Sequence, residues 1–135
     1  MKSASGSTVV RVYVRMPASG QITESPAATW AAHCAAHRLA FQVAPDGTPV
    51  FPPRLAQPGT GADLRWEVSA GRGDVHSATV VRRRGQEPRS LVLVTVDEGF
   101  RMMSTVIGVP PEEVRIGQRV RVAWADDVPV FEVAT

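Results

Sequence analysis

The sequence predicts a mainly β protein in which a small barrel or sandwich follows an N-terminal strand, one α-helix and a turn-rich connector. Two observations lead to this prediction: the second half carries short apolar runs separated by turn residues, and one Ala-rich stretch follows Ser25 and Pro26. Between them, residues 43–63 are rich in Pro and Gly, which interrupt regular elements. We therefore divide the chain into residues 1–42, the connector 43–63 and a β domain over residues 64–135.

The first predicted element is a strand from Val9 to Met16. Its apolar side chains alternate with Arg11, Tyr13 and Arg15, which is the pattern of a strand with one buried face. The neighbouring sequence offers no hairpin partner, so the strand either covers an edge of its own domain or pairs with another chain. We favour pairing between chains, which leaves a homo-oligomer open.

The second predicted element is a helix that begins at Pro26 and extends to about Phe41. It carries His33 and His37 four residues apart, a spacing that can place two imidazoles on one metal ion. No third ligand is apparent in the sequence. We therefore interpret both histidines as ordinary helix residues, and Cys34 between them as a buried apolar side chain.

Six short strands are predicted in the β domain, because apolar and polar residues alternate there. Turn signals such as Gly85 and the Pro110-Pro111 pair separate the strands. Their number and spacing are typical of a small barrel or sandwich with alternate side chains inside. The predicted strands cover residues 64–69, 75–83, 90–96, 101–107, 119–124 and 128–133.

The composition is that of a soluble globular protein of modest size, with 135 residues, 44% apolar and 21% charged. Lys2 is the only lysine among fifteen basic residues, and the formal net charge is +2. This weak basic excess fits phosphate binding as well as an Arg-rich genome, so the placement of the Arg residues has to decide between them.

Cys34 is the only cysteine, which excludes an internal disulfide and a metal site built from cysteine thiolates alone. A chain without disulfides fits a reducing compartment. The sequence contains no apolar run long enough to cross a membrane, since Arg11 and Arg15 interrupt the first candidate. We therefore expect a cytoplasmic protein without a membrane partner.

Four pieces of the second half occur in an order and spacing that resemble a known family. They are Gly71-Arg72-Gly73-Asp74-Val75-His76-Ser77, Thr79-Val80-Val81, Val96-Asp97-Glu98-Gly99 and Ile116-Gly117-Gln118-Arg119-Val120. With Phe51-Pro52-Pro53-Arg54 before them, they resemble the acyl-CoA-associated zinc-ribbon and OB-fold proteins, a family of the domain-of-unknown-function type. The resemblance covers roughly residues 26–133 and implies that residues 64–135 form an OB-fold barrel.

The chain departs from this family at the ribbon, where two Cys-x-x-Cys motifs are expected on either side of Phe-Pro-Pro-Arg. The four corresponding positions are Val43, Asp46, Gln57 and Thr60. None of them is a cysteine, so the resemblance implies a degenerate ribbon that has lost its zinc. Packing then has to replace the metal, and we expect Phe51 and Pro52-Pro53 to anchor the connector.

Arg82, Arg83 and Arg84 lie at the end of a predicted strand, before a turn. Guanidinium groups there suit the phosphates of CoA or of nucleic acid, and OB-folds bind ligands beside such loops. Together with Arg72, whose flanking glycines allow close approach, they are the predicted ligand-binding residues. A solvated hairpin tip is the alternative for the Arg run, and a bulge or tight turn for the Gly-Arg-Gly segment.

No catalytic residues are apparent in the sequence. Asp97 and Glu98 are adjacent, so on a strand they face opposite sides and do not form an acid-base pair. No serine lies in a known nucleophile motif. We therefore predict that the chain is not an enzyme and that it has no cofactor of its own.

The resemblance implies an accessory subunit that binds an acyl-CoA thioester beside a catalytic partner. That partner is expected to be a thiolase-like or a MaoC-type, hydratase-like enzyme in lipid, steroid or polyketide metabolism. The alternative is a single-stranded nucleic-acid-binding OB-fold protein, although few aromatic residues are left to stack with bases. A free-standing regulator or a structural homodimer also stays open, because a fold does not determine a function.

Overall fold

The computed structural model of the protein describes residues 25–134, so the strand predicted from Val9 to Met16 lies outside the described residues. The chain divides into two compact units between Val68 and Ser69. Within the described part, the first unit holds one α-helix and a three-stranded sheet, and the second holds a six-stranded sheet. The mainly β class predicted from the sequence is confirmed.

The helix α1 spans Pro26–Ala35 and begins where the sequence predicts. The hydroxyl of Ser25 accepts a hydrogen bond of 3.1 Å from the backbone N–H of Ala28, which satisfies one of the free donors of the first turn. Pro26 follows as the first helical residue, where its missing N–H costs nothing.

The helix ends earlier than predicted, because the backbone turns left-handed at His37, with φ of 57°. The N–H of Arg38 then donates to the carbonyl of His33 at 2.9 Å, and the N–H of His37 donates to that of Cys34 at 2.8 Å. These two bonds close the helix as a Schellman motif. The extension to Phe41 was therefore wrong: that residue belongs to the strand that follows.

The first sheet contains β1 at Ala40–Val43, β2 at Pro49–Val50 and β3 at Arg65–Val68. Its order is β2-β1-β3 with antiparallel pairing, and all four residues of β1 are buried. The sequence placed residues 64–69 in the β domain, but β3 pairs with β1 in the first unit. Neither β1 nor β2 was predicted.

The second sheet contains six strands, which correspond to five of the predicted ones, because the strand predicted over residues 101–107 is divided into two. Its order is β6-β5-β4-β8-β9-β7, and β7 pairs with β9 in parallel. A short 3₁₀ helix, Pro111–Glu113, precedes β8. The strands are β4 at Arg72–Val81, β5 at Arg89–Val96, β6 at Arg101–Ser104, β7 at Val106–Ile107, β8 at Arg119–Ala125 and β9 at Val128–Val133.

The sheet returns on itself, because its two end strands are consecutive in the chain. Only Thr105 separates β6 from β7, so one extended segment pairs first with β5 and then with β9. Counted as one strand, this segment makes a five-stranded path of the kind found in the Greek-key barrel of an OB-fold. The strand predicted over residues 101–107 is thus one segment with two partners.

The change of partner at Thr105 is fixed by the side chain of Ser90, which is 1% exposed. Its hydroxyl accepts a hydrogen bond of 2.9 Å from the N–H of Val106 and lies 3.1 Å from the hydroxyl of Thr105. Without this bond the N–H of Val106 would be buried without an acceptor. Ser90 therefore holds the start of β5 to the segment of Thr105 and Val106, where that segment changes its partner from β5 to β9.

The Gly-Arg-Gly segment is a packing feature at the start of β4. Gly71, with φ of +78°, precedes the strand, and its carbonyl accepts a hydrogen bond of 2.7 Å from the N–H of Val122 in β8. A Cβ added to Gly73 would lie 2.4 Å from the carbonyl oxygen of Thr95, so only glycine lets β4 approach β5 here. Residues 69–73 contain no assigned turn, and the bulge in β4 lies further on, between Val75 and Ser77.

No helix of residues 25–134 is long and apolar enough to span a membrane.

Candidate functional site

The Phe-Pro-Pro-Arg segment is fixed by one ring contact and one buried amide. The ring of Phe51 meets that of Trp30 edge to face, with centroids 6.2 Å apart. The side chain of Gln42, 3% exposed, donates to the carbonyl of Arg54 at 2.8 Å and accepts from its N–H at 2.7 Å. The segment is therefore held as predicted by Phe51, and in addition by a residue that the sequence analysis missed.

Gln42 replaces a strand neighbour for Arg54, because its carboxamide offers one donor and one acceptor, as a peptide group does. It occupies β1 between Phe41 and Val43, so it is a polar side chain in an otherwise apolar buried run. A polar residue within a short apolar run was the signal in the sequence that could have identified Gln42, since a buried amide needs hydrogen-bond partners.

Three of the four ribbon positions are joined by hydrogen bonds. The hydroxyl of Thr60 donates to the side-chain oxygen of Gln57 at 2.7 Å, and the Gln57 side chain also bonds to the carboxylate of Asp46. Asp46 accepts a further bond of 3.0 Å from the N–H of Thr48. The bonds from Thr48, and to a smaller extent that from Gln57, lower the pKa of Asp46.

The two turns on either side of the Phe-Pro-Pro-Arg segment are each closed by a backbone hydrogen bond. In the first, the N–H of Gly47 donates to the carbonyl of Ala44 at 2.9 Å. In the second, the N–H of Gly61 donates to the carbonyl of Gln57 at 2.8 Å. Gly47 and Gly61 have positive φ, which these tight turns require.

The residues at the four ribbon positions do not fit a zinc ion. Val43 has no donor atom and is 5% exposed, and the three polar side chains already bond to one another or to the backbone. Structural zinc sites need four ligands of thiolate or imidazole type. In residues 25–134, no group of three or more His, Cys, Asp and Glu side chains is placed to hold a metal ion.

His33 lies in the interior of the first unit and is 1% exposed. Its Nδ1 accepts a hydrogen bond of 3.1 Å from Nε–H of Arg38, and its ring packs against Trp66 at a centroid distance of 5.5 Å. Burial, and then the charge of Arg38, lower the pKa of His33 from 6.5 to about 4. His37 is exposed, so the two histidines do not share one environment.

The predicted phosphate-binding arginines occupy the loop of residues 82–88, which connects β4 to β5. The guanidinium of Arg82 forms an ion pair of 2.8 Å with Glu112. Arg83 and Arg84 are exposed to solvent. A role of these three residues in ligand binding is still a prediction. Arg82 can take part in it with those N–H groups that do not bond to Glu112.

Arg72 does not join this loop. It is the first residue of β4, whose ten residues separate it from Arg82 by about 30 Å. Its carbonyl accepts from the N–H of Asp97 at 2.8 Å. The structure therefore places the predicted ligand-binding residues in two groups at opposite ends of one strand.

Asp97 and Glu98 have separate partners. Arg119 donates to both carboxylate oxygens of Asp97, at 2.8 and 2.9 Å, and to Asp74 at 3.1 Å. This fork lowers the pKa of Asp97 and raises that of Arg119. Glu98 instead accepts from the hydroxyl of Ser69 at 2.7 Å, so the two carboxylates stabilise different loops.

The fold and these contacts define a two-unit protein: a small unit with one helix and a three-stranded sheet, followed by an OB-fold domain. Residues 66–125 match the family model described as ChsH2, C-terminal OB-fold domain. The OB-fold and the family resemblance predicted from the sequence are thereby confirmed.

A solved structure named Ltp2-ChsH2(DUF35) aldolase contains a similar chain. The identity is 28% and the TM-score 0.73, and the match covers 84% of this chain and 98% of that chain. The similarity therefore extends over both units, although the family model covers the second. No curated protein matches the chain.

The prediction that the chain is not an enzyme is contradicted by this match, since the similar structure is named an aldolase. The prediction rested on the lack of a nucleophile beside a base in the sequence. That reasoning fails when catalytic groups meet only in the folded protein or in a complex, because their distance along the chain then carries no information.

Replacement of Gln42 by alanine should destabilise the first unit by about 2 to 3 kcal/mol, because two hydrogen bonds are lost and the backbone of Arg54 loses its partner. Chemical denaturation followed by tryptophan fluorescence measures the change, and Gln86→Ala in the exposed 82–88 loop is the control. If the two variants unfold at the same denaturant concentration, the amide does not hold the segment.

The low pKa of His33 predicts a pH-dependent stability. The folded protein keeps this imidazole neutral down to about pH 4, whereas the unfolded chain protonates it near pH 6.5. The free energy of unfolding therefore decreases as pH falls from 6.5 to 4, by up to about 3 kcal/mol from this group.

The His33→Gln variant isolates this contribution. The difference in unfolding free energy between the wild-type protein and the variant should shrink as pH falls from 6.5 to 4, because glutamine does not titrate. The exposed His37→Gln is the matched control. A difference that is constant over this interval contradicts the assignment.

Proposed function

We propose that the chain is the ChsH2-type component of an aldolase assembly that acts on acyl-CoA thioesters in lipid or steroid metabolism. The observation that supports this best is the structural match over 98% of the chain from the Ltp2-ChsH2(DUF35) aldolase. The other component is an enzyme subunit of the Ltp2 kind, for which we expect a thiolase-like rather than a hydratase-like fold. The chain contributes to the binding of the CoA thioester within this assembly.

The Arg loop between β4 and β5 supports the acyl-CoA part of the proposal. Arg83 and Arg84 are exposed at a strand end of the OB-fold, and Glu112 engages Arg82 beside them. Each guanidinium group can donate two parallel hydrogen bonds to a phosphate group. The nucleotide part of CoA carries such phosphates. Loops in this position flank the usual ligand face of OB-folds.

The nucleic-acid alternative receives less support. Phe100 and Phe131 are 4% and 0% exposed, so neither ring is available for stacking on a base. Trp66 packs on His33 in the first unit. OB-folds that bind single strands combine a basic groove with several exposed aromatic rings. In the described part of the second unit, Trp124 is the one aromatic side chain that is not fully buried, so the domain offers few rings for stacking.

Coexpression with an Ltp2-type aldolase subunit tests the proposal. We expect a stable complex with aldolase activity on an acyl-CoA, and about a tenfold or greater loss of CoA affinity in the Arg83→Glu, Arg84→Glu double variant. The double variant Arg115→Glu, Arg121→Glu carries the same change of net charge outside the loop and is the control.

Titration calorimetry at two salt concentrations measures both variants. Equal CoA affinity of the loop variant and its control would remove the loop from the site. Failure of the wild-type chain to form any complex with the aldolase subunit would overturn the proposed assembly. Tight binding of single-stranded DNA with a steep salt dependence, without CoA binding, would favour the nucleic-acid alternative.

We further propose that the ribbon works without zinc. The hydrogen bonds among Asp46, Gln57 and Thr60, together with the Gln42 amide, support this proposal. Elemental analysis of the purified protein should give far less than one zinc per chain. Cysteines placed at Val43, Asp46, Gln57 and Thr60 should introduce a zinc site, because both turns are retained. One zinc per wild-type chain after dialysis against a mild chelator would contradict the proposal.

A further inference from the structure

A groove of about 460 Å³ opens on the second unit, where β5 and β9 diverge. Its walls come from the start of β5, from the segment β6–β7 and from the hairpin of β8 and β9. The groove therefore lies entirely within the OB-fold domain, and it includes neither the ribbon nor the charged group around Asp97.

The groove exists because the segment through Thr105 changes its partner. β5 pairs with β6 from Val92 to Thr95, so its first residues extend past the last rung of that pairing. β9 pairs with β7 only from Phe131 onward, so its own first residues are also beyond the pairing. The first residues of β5 and of β9 therefore lie beside residues 101–107 without pairing to them, and the groove opens there.

Apolar side chains line this gap while remaining open to solvent. Leu91, Met103, Ile107 and Val128 all belong to the lining, with exposures of 38%, 65%, 40% and 59%. Each sits at a strand position whose neighbour points into the core, so alternation places it outside. A cluster of exposed aliphatic side chains in a concave surface marks a binding site more often than a random surface does.

The hydroxyl groups of the lining already form hydrogen bonds within the domain. The hydroxyl of Ser90 bonds to Val106, and that of Ser104 donates to the carbonyl of Pro129 at 3.0 Å. A ligand in the groove therefore meets an aliphatic surface with few polar groups to satisfy. No ring belongs to the lining, which disfavours stacking of a base.

The two ends of the groove differ in charge. Arg89 lines one end and is the register partner of Val81, the last residue before the 82–88 loop. That loop contains three arginines and a single acidic residue, Glu87. At the other end, Asp126 and Asp127 form the turn between β8 and β9. An amphiphile with an anionic head is thus favoured in one direction, head toward Arg89.

We propose that this groove binds the acyl chain of an acyl-CoA thioester, with the phosphates of CoA directed toward Arg89 and the adjoining arginine loop. This inference rests on the proposed function and adds to it where the acyl group lies. The volume falls within the range of small-molecule sites, and the face between these two loops is the one on which OB-folds bind ligands.

Calorimetric titration with CoA and with dodecanoyl-CoA tests the inference, on the chain alone and in complex with the aldolase subunit. The wild-type protein should bind dodecanoyl-CoA at least tenfold more tightly than CoA, since the added methylene groups leave water. Met103→Glu and Val128→Glu should each reduce this ratio to near one without changing CoA affinity. Both side chains are exposed, so folding should tolerate the charge.

Ile116→Glu is the matched control, because Ile116 is 72% exposed in the same unit and does not line the groove. It should keep the tenfold ratio. If Met103→Glu and Val128→Glu keep the ratio as well but no longer copurify with the aldolase subunit, the groove is a protein interface and the inference is wrong. The proposed assembly would survive that result, whereas a wild-type chain that binds neither CoA nor the subunit would overturn both.

Discussion

The hydroxyl of Ser90 makes the bond on which the six-stranded sheet depends. One segment serves two strands, β5 before Thr105 and β9 after it, and the buried N–H of Val106 needs an acceptor at that change. A serine on β5 supplies the acceptor, which ties the crossing segment to the strand that it leaves. The same change of partner separates the starts of β5 and β9. The change of partner at Thr105 and the groove beside it thus have one cause.

The turns of the first unit are held by polar side chains and by one ring contact. The amide of Gln42 holds the backbone of Arg54, and the network of Asp46, Gln57 and Thr60 joins the two ribbon turns. Each bond contributes about 1 kcal/mol, far less than a zinc ion does, so several bonds and the Trp30 to Phe51 contact act together.

The arrangement of charge links the two proposals about function. Near the start of β4, Asp74 and Asp97 hold Arg119 in ion pairs, whereas the loop at the end of β4 keeps Arg83 and Arg84 exposed beside an aliphatic groove. A ligand with phosphates and a hydrocarbon chain satisfies both surfaces at once. The similar solved structure is named an aldolase, and no residue pattern in the sequence had indicated an aldolase reaction.

The sequence by itself determined the mainly β class, the OB-fold strands and the start of α1, since alternation and capping are local patterns. It also shows that none of Val43, Asp46, Gln57 and Thr60 is a cysteine. Only the tertiary structure decided that β3 pairs with β1 and that Gln42 meets Arg54. These features depend on which strands become neighbours, and pairing over long distances leaves no local pattern along the chain. The groove is of the same kind, because its lining residues come from four strands that the fold alone brings together.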